Sequence, residues 1–299
     1  MKTRMFLLTT LAMIAFASNS LLCRAALKQT QIDAASFTFV RILSGAVALW
    51  IIMQFRRAVT ADGDTPLPHD RRNIAGNWIS GFALFVYAAG FSFAYNNLSA
   101  GTGALLLFGA VQITMILWGF REGERLDTIK IIGLIVALSG LVVLVFPGLA
   151  APPFAGSFLM LSAGVAWGIY SLRGKSASDA IAATTGNFWR AVPLAALVNI
   201  VLFSQARFDH VGITYALISG AITSGLGYVI WYNVLSDSRP VRLGPATAAT
   251  VQLSVPVLAA TGGILVLQEP ITLRYILASV AVLGGIALFI IERRQPTKI

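Results

Sequence analysis

Two long stretches without a charged residue or a histidine constrain this chain more than any other feature. They run from Ile74 to Phe120 and from Ile131 to Leu172. A helix needs about 20 apolar residues to cross a bilayer, so each stretch is long enough for two crossings. Inside lipid the backbone has no water to bond, and long apolar spans satisfy it by forming helices. The sequence therefore predicts an all-α integral membrane protein.

Composition and charge agree with that fold class and exclude several functions. The chain is 57% apolar and 11% charged, whereas a soluble domain carries about 25% charged residues. Its net charge of +10 lies in short loops, without the clustered cations and interleaved aromatics of a nucleic-acid groove. One cysteine, Cys23, and two isolated histidines, His69 and His210, build no disulfide or metal site. We expect no nucleic-acid partner, metal or cofactor.

The apolar segments predict ten transmembrane helices. They are Met5–Cys23, Ala34–Phe55, Ile74–Asn96, Ala100–Phe120, Ile129–Phe146, Phe154–Leu172, Ile181–Phe203, Val211–Ser236, Leu243–Gln268 and Leu273–Ile291. The connection from Pro147 to Pro153 is short, so the parts before and after it must pack together.

Landmarks in the first half recur in the second. The matching pairs are Gln112 with Gln252, Glu124 with Glu269, Arg24 with Arg173, and Arg41 with Arg190. The two arginine pairs align the first two spans with spans six and seven. The first span therefore belongs to the repeat, although its start resembles a cleavable signal peptide. We expect one repeat in residues 1–146 and another in residues 154–291, each with five spans.

The distribution of cations predicts how the chain lies in the membrane. Of 22 Lys and Arg, 16 fall on the side of the N-terminus. Two lie within spans, and the opposite side has only Arg24, Lys28, Arg207 and Arg274. Excess cations mark the cytoplasmic side, so both termini are expected there, in the cell (plasma or inner) membrane. Because each repeat has five spans, the second would be inverted relative to the first, as in many secondary transporters.

These landmarks resemble those of the drug/metabolite transporter superfamily, in particular its ten-span EamA-type members. The resemblance rests on the two helix–acid–helix units at Glu124 and Glu269, on Ala166-Trp167-Gly168, on Arg41 and Arg190, and on Pro256. The sequence departs from the family where Ser18-Asn19 replaces Trp-Gly in span one and where Ile116 replaces Pro in span four. The resemblance implies export of small metabolites, including amino acids, through a cavity lined by spans one, three, four, six, eight and nine.

Polar and aromatic residues inside the spans are the candidates for substrate binding, because buried polar groups in membranes normally face the bundle interior. Gln112 and Gln252 can each donate and accept hydrogen bonds; alternatively, they only join neighbouring helices. The remaining aromatic candidates also include positions that suit ordinary packing or an interfacial belt, particularly Trp118 and Trp231. The full set of candidates is Ser18, Asn19, Tyr87, Phe91, Gln112, Trp167, Tyr170, Tyr228 and Gln252.

Four charged residues have gating or structural interpretations. Arg41 and Arg190 could clamp an anion, or could snorkel or bond helix-end carbonyls. Glu124 and Glu269 lie at predicted helix starts, where the helix dipole stabilises a negative charge. We therefore expect these residues to be caps rather than proton carriers. No acid lies in the middle of any span, which disfavours cationic drugs as substrates.

The sequence thus predicts a secondary transporter that exports small zwitterionic or neutral metabolites, with amino acids foremost, by alternating access. The alternatives are an exporter of lipophilic drugs and a channel-like facilitator. An enzyme is disfavoured, because the spans hold no nucleophile–base pair, paired aspartates or histidine-rich metal motif. The sequence also allows a homodimer.

Overall fold

The computed structural model describes residues 2–61, 74–121, 128–148, 151–174, 177, 179–235 and 251–290, and these residues form no strand. The helices are α1 (Lys2–Gln29), α2 (Ala34–Ala61), α3 (Trp78–Tyr95), α4 (Ala100–Arg121), α5 (Thr128–Val145), α6 (Phe154–Gly174), α7 (Ala180–Val201), α8 (His210–Ile218), α9 (Gly227–Leu235), α10 (Ser254–Leu267) and α11 (Leu273–Ile290). A short 3-10 turn covers Phe203–Gln205, and a π-helical segment, Ser219–Leu226, joins α8 to α9.

The helices follow the predicted spans closely over the described residues. The eighth predicted span is one continuous helical rod made of α8, the π segment and α9. Of the ninth, only α10 and the residues just before it are described, since residues 236–250 lie outside the described part. Seven described helices are long and apolar enough to cross a membrane. Helices α10 and α11 are apolar but have shorter qualifying stretches.

The outer surface is apolar, unlike that of a soluble protein. Large side chains such as Phe154, Leu265 and Phe6 are 78%, 76% and 74% exposed. Soluble monomers rarely expose extended apolar patches. Lipid tails cover such side chains at no cost, so the chain is a multi-pass membrane protein.

The helices pack as a bundle around a centre formed by α1, α3, α4, α6 and the π segment. Helix α6 packs on α3 and α4, α1 packs on α9 and α10, and α2 packs on α7 and the π segment. Helices α5 and α11 form a pair at one edge. A Cβ on Gly140 would lie 2.8 Å from the Ala281 side chain, and one on Gly285 would lie 2.5 Å from the backbone of Gly133 and Ala137. Small residues thus bring these two backbones together, as is common in membranes.

Acidic caps tie the start of α2 to the start of α8. Asp33 accepts hydrogen bonds from the amides of Ala35 and Ser36, and also from the Arg207 amide before α8, at 2.8–3.0 Å. Asp209 caps α8 and accepts from the Gln31 amide before α2 at 3.0 Å. Each carboxylate therefore satisfies free amides at its own helix start and also holds the opposite loop.

These hydrogen bonds shift both carboxyl groups, which lie outside the membrane-spanning segments. Partial burial opposes the shift at Asp33, but bonds from Ser36 and the Arg207 and Ala35 amides hold the pKa of Asp33 below its ordinary value of 3.8. The Gly212 amide is the main cause of a lowered pKa at Asp209. Both groups are therefore charged when they brace the two loops.

Candidate functional site

A buried polar network joins α1, α2, α3 and the π segment at the centre of the bundle. The Asn19 amide nitrogen donates to the Tyr87 hydroxyl at 3.3 Å, and Arg41 Nη2 donates to the same hydroxyl at 2.9 Å. Arg41 Nε donates to Ser224 Oγ at 3.4 Å. The Asn19 carbonyl oxygen accepts from Ser219 at 2.6 Å and Thr223 at 3.2 Å. Three helices and the π segment thus meet through buried polar side chains.

The π segment supplies this network with three hydroxyl groups. Its hydrogen bonds join residues five apart, so the helix widens and brings Ser219, Thr223 and Ser224 toward α1 and α2. Gly220 allows the close approach, because a Cβ there would overlap the Arg41 carbonyl and Ser44. Such π turns within helices often lie at functional sites. The sequence pattern predicts a plain helical span here and not a π segment.

Aromatic rings from both halves of the chain enclose the centre. Trp167 lies 4.7 Å from Tyr87, 4.9 Å from Tyr228 and 5.5 Å from Tyr170, between ring centroids. Phe91 lies 5.6 Å from Tyr87, and Phe16 packs against Tyr228 at 6.0 Å. Offset and edge contacts of this kind are favourable beyond simple burial. The predicted aromatic candidates are therefore neighbours in space.

A small cavity of about 10 Å³ lies between these rings. Its walls are Phe16, Asn19, Ser20, Tyr87, Phe91, Leu107, Phe108, Trp167, Thr223 and Tyr228. A space of this size holds about one water molecule. A metabolite can therefore enter only if the helices separate.

Some predicted residues lie elsewhere, and one lining residue was missed. Ser18 is half-buried and does not line the cavity, whereas Ser20 does. Phe16, Asn19 and Ser20 follow helical i, i+3, i+4 spacing, which could have identified Ser20. For Trp231 the structure follows the packing alternative, since this residue is 6% exposed and its ring lies 5.9 Å from that of Phe16.

The two predicted glutamines form a pair beside the site. Gln112 Nε2 donates to Gln252 Oε1 at 3.4 Å, and both side chains are buried. Neither lines the small cavity. The pair joins α4 to the residues just before α10, which is the contact between neighbouring helices that the sequence left as an alternative.

The two matching arginines have different surroundings. Arg190 Nη1 donates to the carbonyls of Ala75 and Gly186 at 3.0 and 2.9 Å, and its side chain is half-buried. Arg41 is 2% exposed, and its guanidinium lies 4.8 Å from the Phe91 ring and 5.2 Å from the Tyr87 ring. Arg190 therefore bonds backbone carbonyls, whereas Arg41 belongs to the central network.

Glu269 caps a helix, but not the helix that follows it. Its Oε2 accepts from the Ala100 amide at the start of α4 at 2.7 Å, and its Oε1 pairs with Arg24 Nε at 2.9 Å. Arg24 Nη1 also donates to the carbonyls of Tyr95 and Asn96. Gln268, in a left-handed conformation with φ 53°, ends α10 and turns Glu269 back toward α4. Glu124 lies outside the described residues.

The described residues offer no cluster for a metal ion. No group of three or more His, Cys, Asp or Glu side chains lies together among them. The central site instead offers a guanidinium, an amide, hydroxyl groups and aromatic faces. Such a set can hold a small organic molecule through hydrogen bonds and ring contacts.

Comparisons with known proteins place the chain in a family. A protein of Pseudomonas aeruginosa described as uncharacterized is 51% identical over 97% of this chain and 96% of its own length. A "Probable amino-acid metabolite efflux pump" of Escherichia coli is 25% identical over 72% of this chain and 77% of its own length. A solved crystal structure at 17% identity superposes with a TM-score of 0.64 over 99% of this chain and 100% of that one, which supports the fold alone. The sequence matches the EamA-like transporter family over residues 3–146 and 154–291. The chain thus belongs to the EamA-like transporter family, within the drug/metabolite transporter superfamily, and is a membrane transporter.

Proposed function

We propose that this protein is a secondary transporter that exports a small zwitterionic or neutral metabolite, an amino acid or a close relative. The observation that carries the proposal is the cavity between Asn19, Tyr87, Trp167 and Tyr228. It combines hydrogen-bonding groups with aromatic walls and lies where helices from both halves of the chain meet. Transporters built from repeats bind their substrates at such a meeting place.

The packing of the helices supports two inverted five-span repeats, in residues 1–146 and 154–291. Helix α6 contacts α3 and α4, and α1 contacts α9 and α10, which are the corresponding helices of the other half. Helix α2 contacts α8 as α7 contacts α3. Reciprocal packing of this kind is expected when one unit of five spans meets an inverted copy of itself. The excess of cations on the side of the N-terminus favours a cytoplasmic location for both termini, in the cell membrane.

Each end of the bundle is closed by polar contacts between the halves. At one end Glu269 links Arg24 to the start of α4. At the other end, two residues of α7 bind the segment before α3. Arg190 Nη1 donates to the Ala75 carbonyl, and Asn187 Oδ1 accepts from the Asn77 amide, both at 3.0 Å. Alternating access requires one set of contacts to break while the other persists. The hydrogen bond between Gln112 and Gln252 is long, at 3.4 Å. Rocking of the two repeats would also break this bond and make both amides available to a substrate.

The substrate class follows from the side chains and from a relative. The described spans hold no acid at the cavity that could exchange a proton for a cationic drug. The E. coli relative is named as an efflux pump for amino-acid metabolites. Both favour an amino acid or related solute over a lipophilic cation, and the enclosed cavity favours a carrier over an open channel.

Counterflow in proteoliposomes tests this function. Vesicles loaded with a panel of unlabelled L-amino acids should accumulate the labelled form of the true substrate, saturably and faster than vesicles loaded with buffer. Asn19→Ala, which removes the centre of the network, should lower this flux at least tenfold. Asn199→Ala is the matched control. The Asn199 side chain lies away from the cavity and donates a hydrogen bond to Ser36 Oγ at a distance of 3.0 Å. Flux confined to permanent cations, or flux that never saturates, would refute the proposal in favour of a drug exporter or a channel.

A further inference from the structure

We infer that Arg41 binds the carboxylate of the substrate, and that the site recognises this carboxylate without requiring an amino group beside it. The inference rests on the proposed transport function and adds the chemical group that the central site selects. It concerns a side chain behind the cavity walls, in contact with Tyr87 and Phe91.

Arg41 is a buried charge without a described counter-charge. It is 2% exposed, and the ion pairs found among the described residues join Arg24 to Glu269 and Arg56 to Asp179. A charge inside the membrane is costly unless it is paired. Because the described residues provide no acid at this point, we expect a ligand to supply the negative charge.

The neutral neighbours of Arg41 compensate for only part of its charge. Its Nη2 and Nε donate to the hydroxyls of Tyr87 and Ser224, and the faces of Tyr87 and Phe91 provide cation–π contacts. Its Nη1 has no hydrogen-bond partner among the described residues. A guanidinium has five donors in a planar fork that fits a carboxylate with two parallel bonds. The free nitrogen leaves that geometry available.

The groups around Arg41 also offer donors in excess. The Tyr87 hydroxyl accepts from both Arg41 and Asn19, which uses its two acceptor positions and leaves its own proton for donation. The hydroxyls of Ser20 and Tyr228, on the cavity wall, lie near those of Tyr95 and Tyr87 but make no hydrogen bond of good geometry to a described residue. A carboxylate only accepts hydrogen bonds, so it matches this surplus, whereas an ammonium group, which only donates, does not.

No charged group among the described residues of the cavity matches the amino group of an amino acid. The lining contains no acid, and the faces of Trp167, Tyr87 and Tyr228 are its remaining attractions for a cation. These surfaces accept an apolar or aromatic body equally well. The carboxylate is therefore the recognised charge, and a carboxylic acid that lacks the amine should still bind.

The closed cavity explains how Arg41 is held before a ligand arrives. With about 10 Å³ of space, the site has no room for a carboxylate. In this state the Tyr87 hydroxyl occupies an acceptor position in front of Nη2. When the repeats separate, a carboxylate oxygen can replace that hydroxyl as the acceptor for Nη2. The Tyr87 hydroxyl can then donate a hydrogen bond to the same carboxylate.

Arg190 provides an internal comparison, since it occupies the matching position of the second half. Two backbone carbonyls accept from its Nη1, so its hydrogen bonds contribute to folding. Removing Arg190 should lower stability. Removing Arg41 should leave the stability of the empty protein unchanged or raise it, because replacing a buried charge by a neutral group relieves its desolvation.

The test measures ligand-induced stabilisation in detergent, using phenylalanine, 3-phenylpropanoate and phenylalaninamide as probes. Binding is measured instead of flux, because neutral forms of the last two cross bilayers unaided. Phenylalanine and 3-phenylpropanoate should raise the unfolding temperature of the wild type with concentration, and phenylalaninamide should not. If counterflow identifies a smaller amino acid as substrate, the corresponding acid and amide replace these probes.

Arg41→Gln should weaken carboxylate binding at least tenfold, equivalent to about 1.4 kcal/mol, while its melting temperature without ligand stays at or above that of wild type. Arg190→Gln should melt lower than wild type, and the control Asn199→Ala, away from the cavity, should bind with unchanged affinity. Equal stabilisation of the wild type by the amide, or a lower melting temperature for Arg41→Gln with unchanged affinity, overturns the inference. If Arg41→Gln fails to fold, that also counts against it. Failure of the proposed function is distinct, since no amino acid would then show saturable counterflow in proteoliposomes.

Discussion

The Glu269→Gln substitution tests whether the contact between Arg24, Glu269 and the start of α4 stabilises the fold. The substitution keeps the shape of the side chain and removes its charge. In the wild type one carboxylate oxygen accepts from Arg24 at 2.9 Å and the other from the Ala100 amide at 2.7 Å. A glutamine has one accepting oxygen, so one of these two donors must face its amide nitrogen.

The magnitude can be worked out from burial and from the bonds that remain. Removing one partner of a buried ion pair costs about 3–5 kcal/mol. Here the Arg24 side chain is 14% exposed and keeps the carbonyls of Tyr95 and Asn96 as acceptors. A single hydrogen bond to a charged group contributes about 1.5–3 kcal/mol. We therefore expect a loss of about 2–3 kcal/mol, larger than the 0.3–1 kcal/mol of an exposed cap.

Equilibrium unfolding in mixed micelles would measure this loss, and a double-mutant cycle with Arg24→Gln would isolate the pair. The coupling energy should exceed about 1 kcal/mol, since contacting residues couple measurably. A loss below about 0.5 kcal/mol, or no coupling, would show that the contact behaves as an exposed pair. Transport should persist in the folded variant. If it vanishes or loses its dependence on pH while the protein stays folded, Glu269 carries protons and its role as a cap is secondary.

Three further predictions concern acid, packing and topology. Folding lowers the pKa of Asp33. The stabilisation by its carboxylate is therefore fully present above the ordinary pKa of 3.8 and disappears as the pH falls through the lowered pKa of the folded protein. Wild type should therefore lose stability below about pH 4, and Asp33→Asn should lose less on acidification, as followed by unfolding temperature. Gly220→Ala should destabilise by about 1–3 kcal/mol through overpacking, whereas Gly284→Ala, with no atom within 4 Å of the added Cβ, should be neutral or stabilising; equal effects would contradict the close approach. A cytoplasm-active reporter should work after Ile299 and not near Ala151, and the reverse would end the inverted-repeat proposal.

The sequence predicted most of the helices because their signals are local. Uncharged apolar runs specify helices in lipid wherever they occur, and α4 and α6 begin at the predicted Ala100 and Phe154. The aromatic candidates were also recognisable, since Tyr87, Trp167 and Tyr228 all lie on spans that the family resemblance assigns to the cavity. Their ring contacts confirm that these residues are neighbours.

The parts that escaped prediction depend on contacts distant in sequence. The small polar residues Ser219, Gly220 and Ser224 suit an ordinary helix as well as a π segment, and the close approach of α2 accompanies the wider form. Glu269 was expected to act on the helix that follows it. Its actual partner, Ala100, is 169 positions away, and only the left-handed turn at Gln268 directs it there. Neither effect leaves a periodic trace in the sequence.

The different surroundings of Arg41 and Arg190 show where the two halves of the chain diverge. The same position in each half carries the same charge, and sequence comparison alone gives both the same expectation. Arg190 finds the Ala75 carbonyl because residues 74–77 are not helical and Gly76 adopts φ 86°. The corresponding approach to Arg41 comes from the π segment, which offers hydroxyls in place of a free carbonyl. Arg190 is thus hydrogen-bonded to backbone carbonyls of the fold, whereas Arg41 keeps one donor without a partner among the described residues. Local conflicts of this kind, tolerated at a cost in stability, are expected at functional sites, so the departure from symmetry at Arg41 is itself an argument that the substrate binds there.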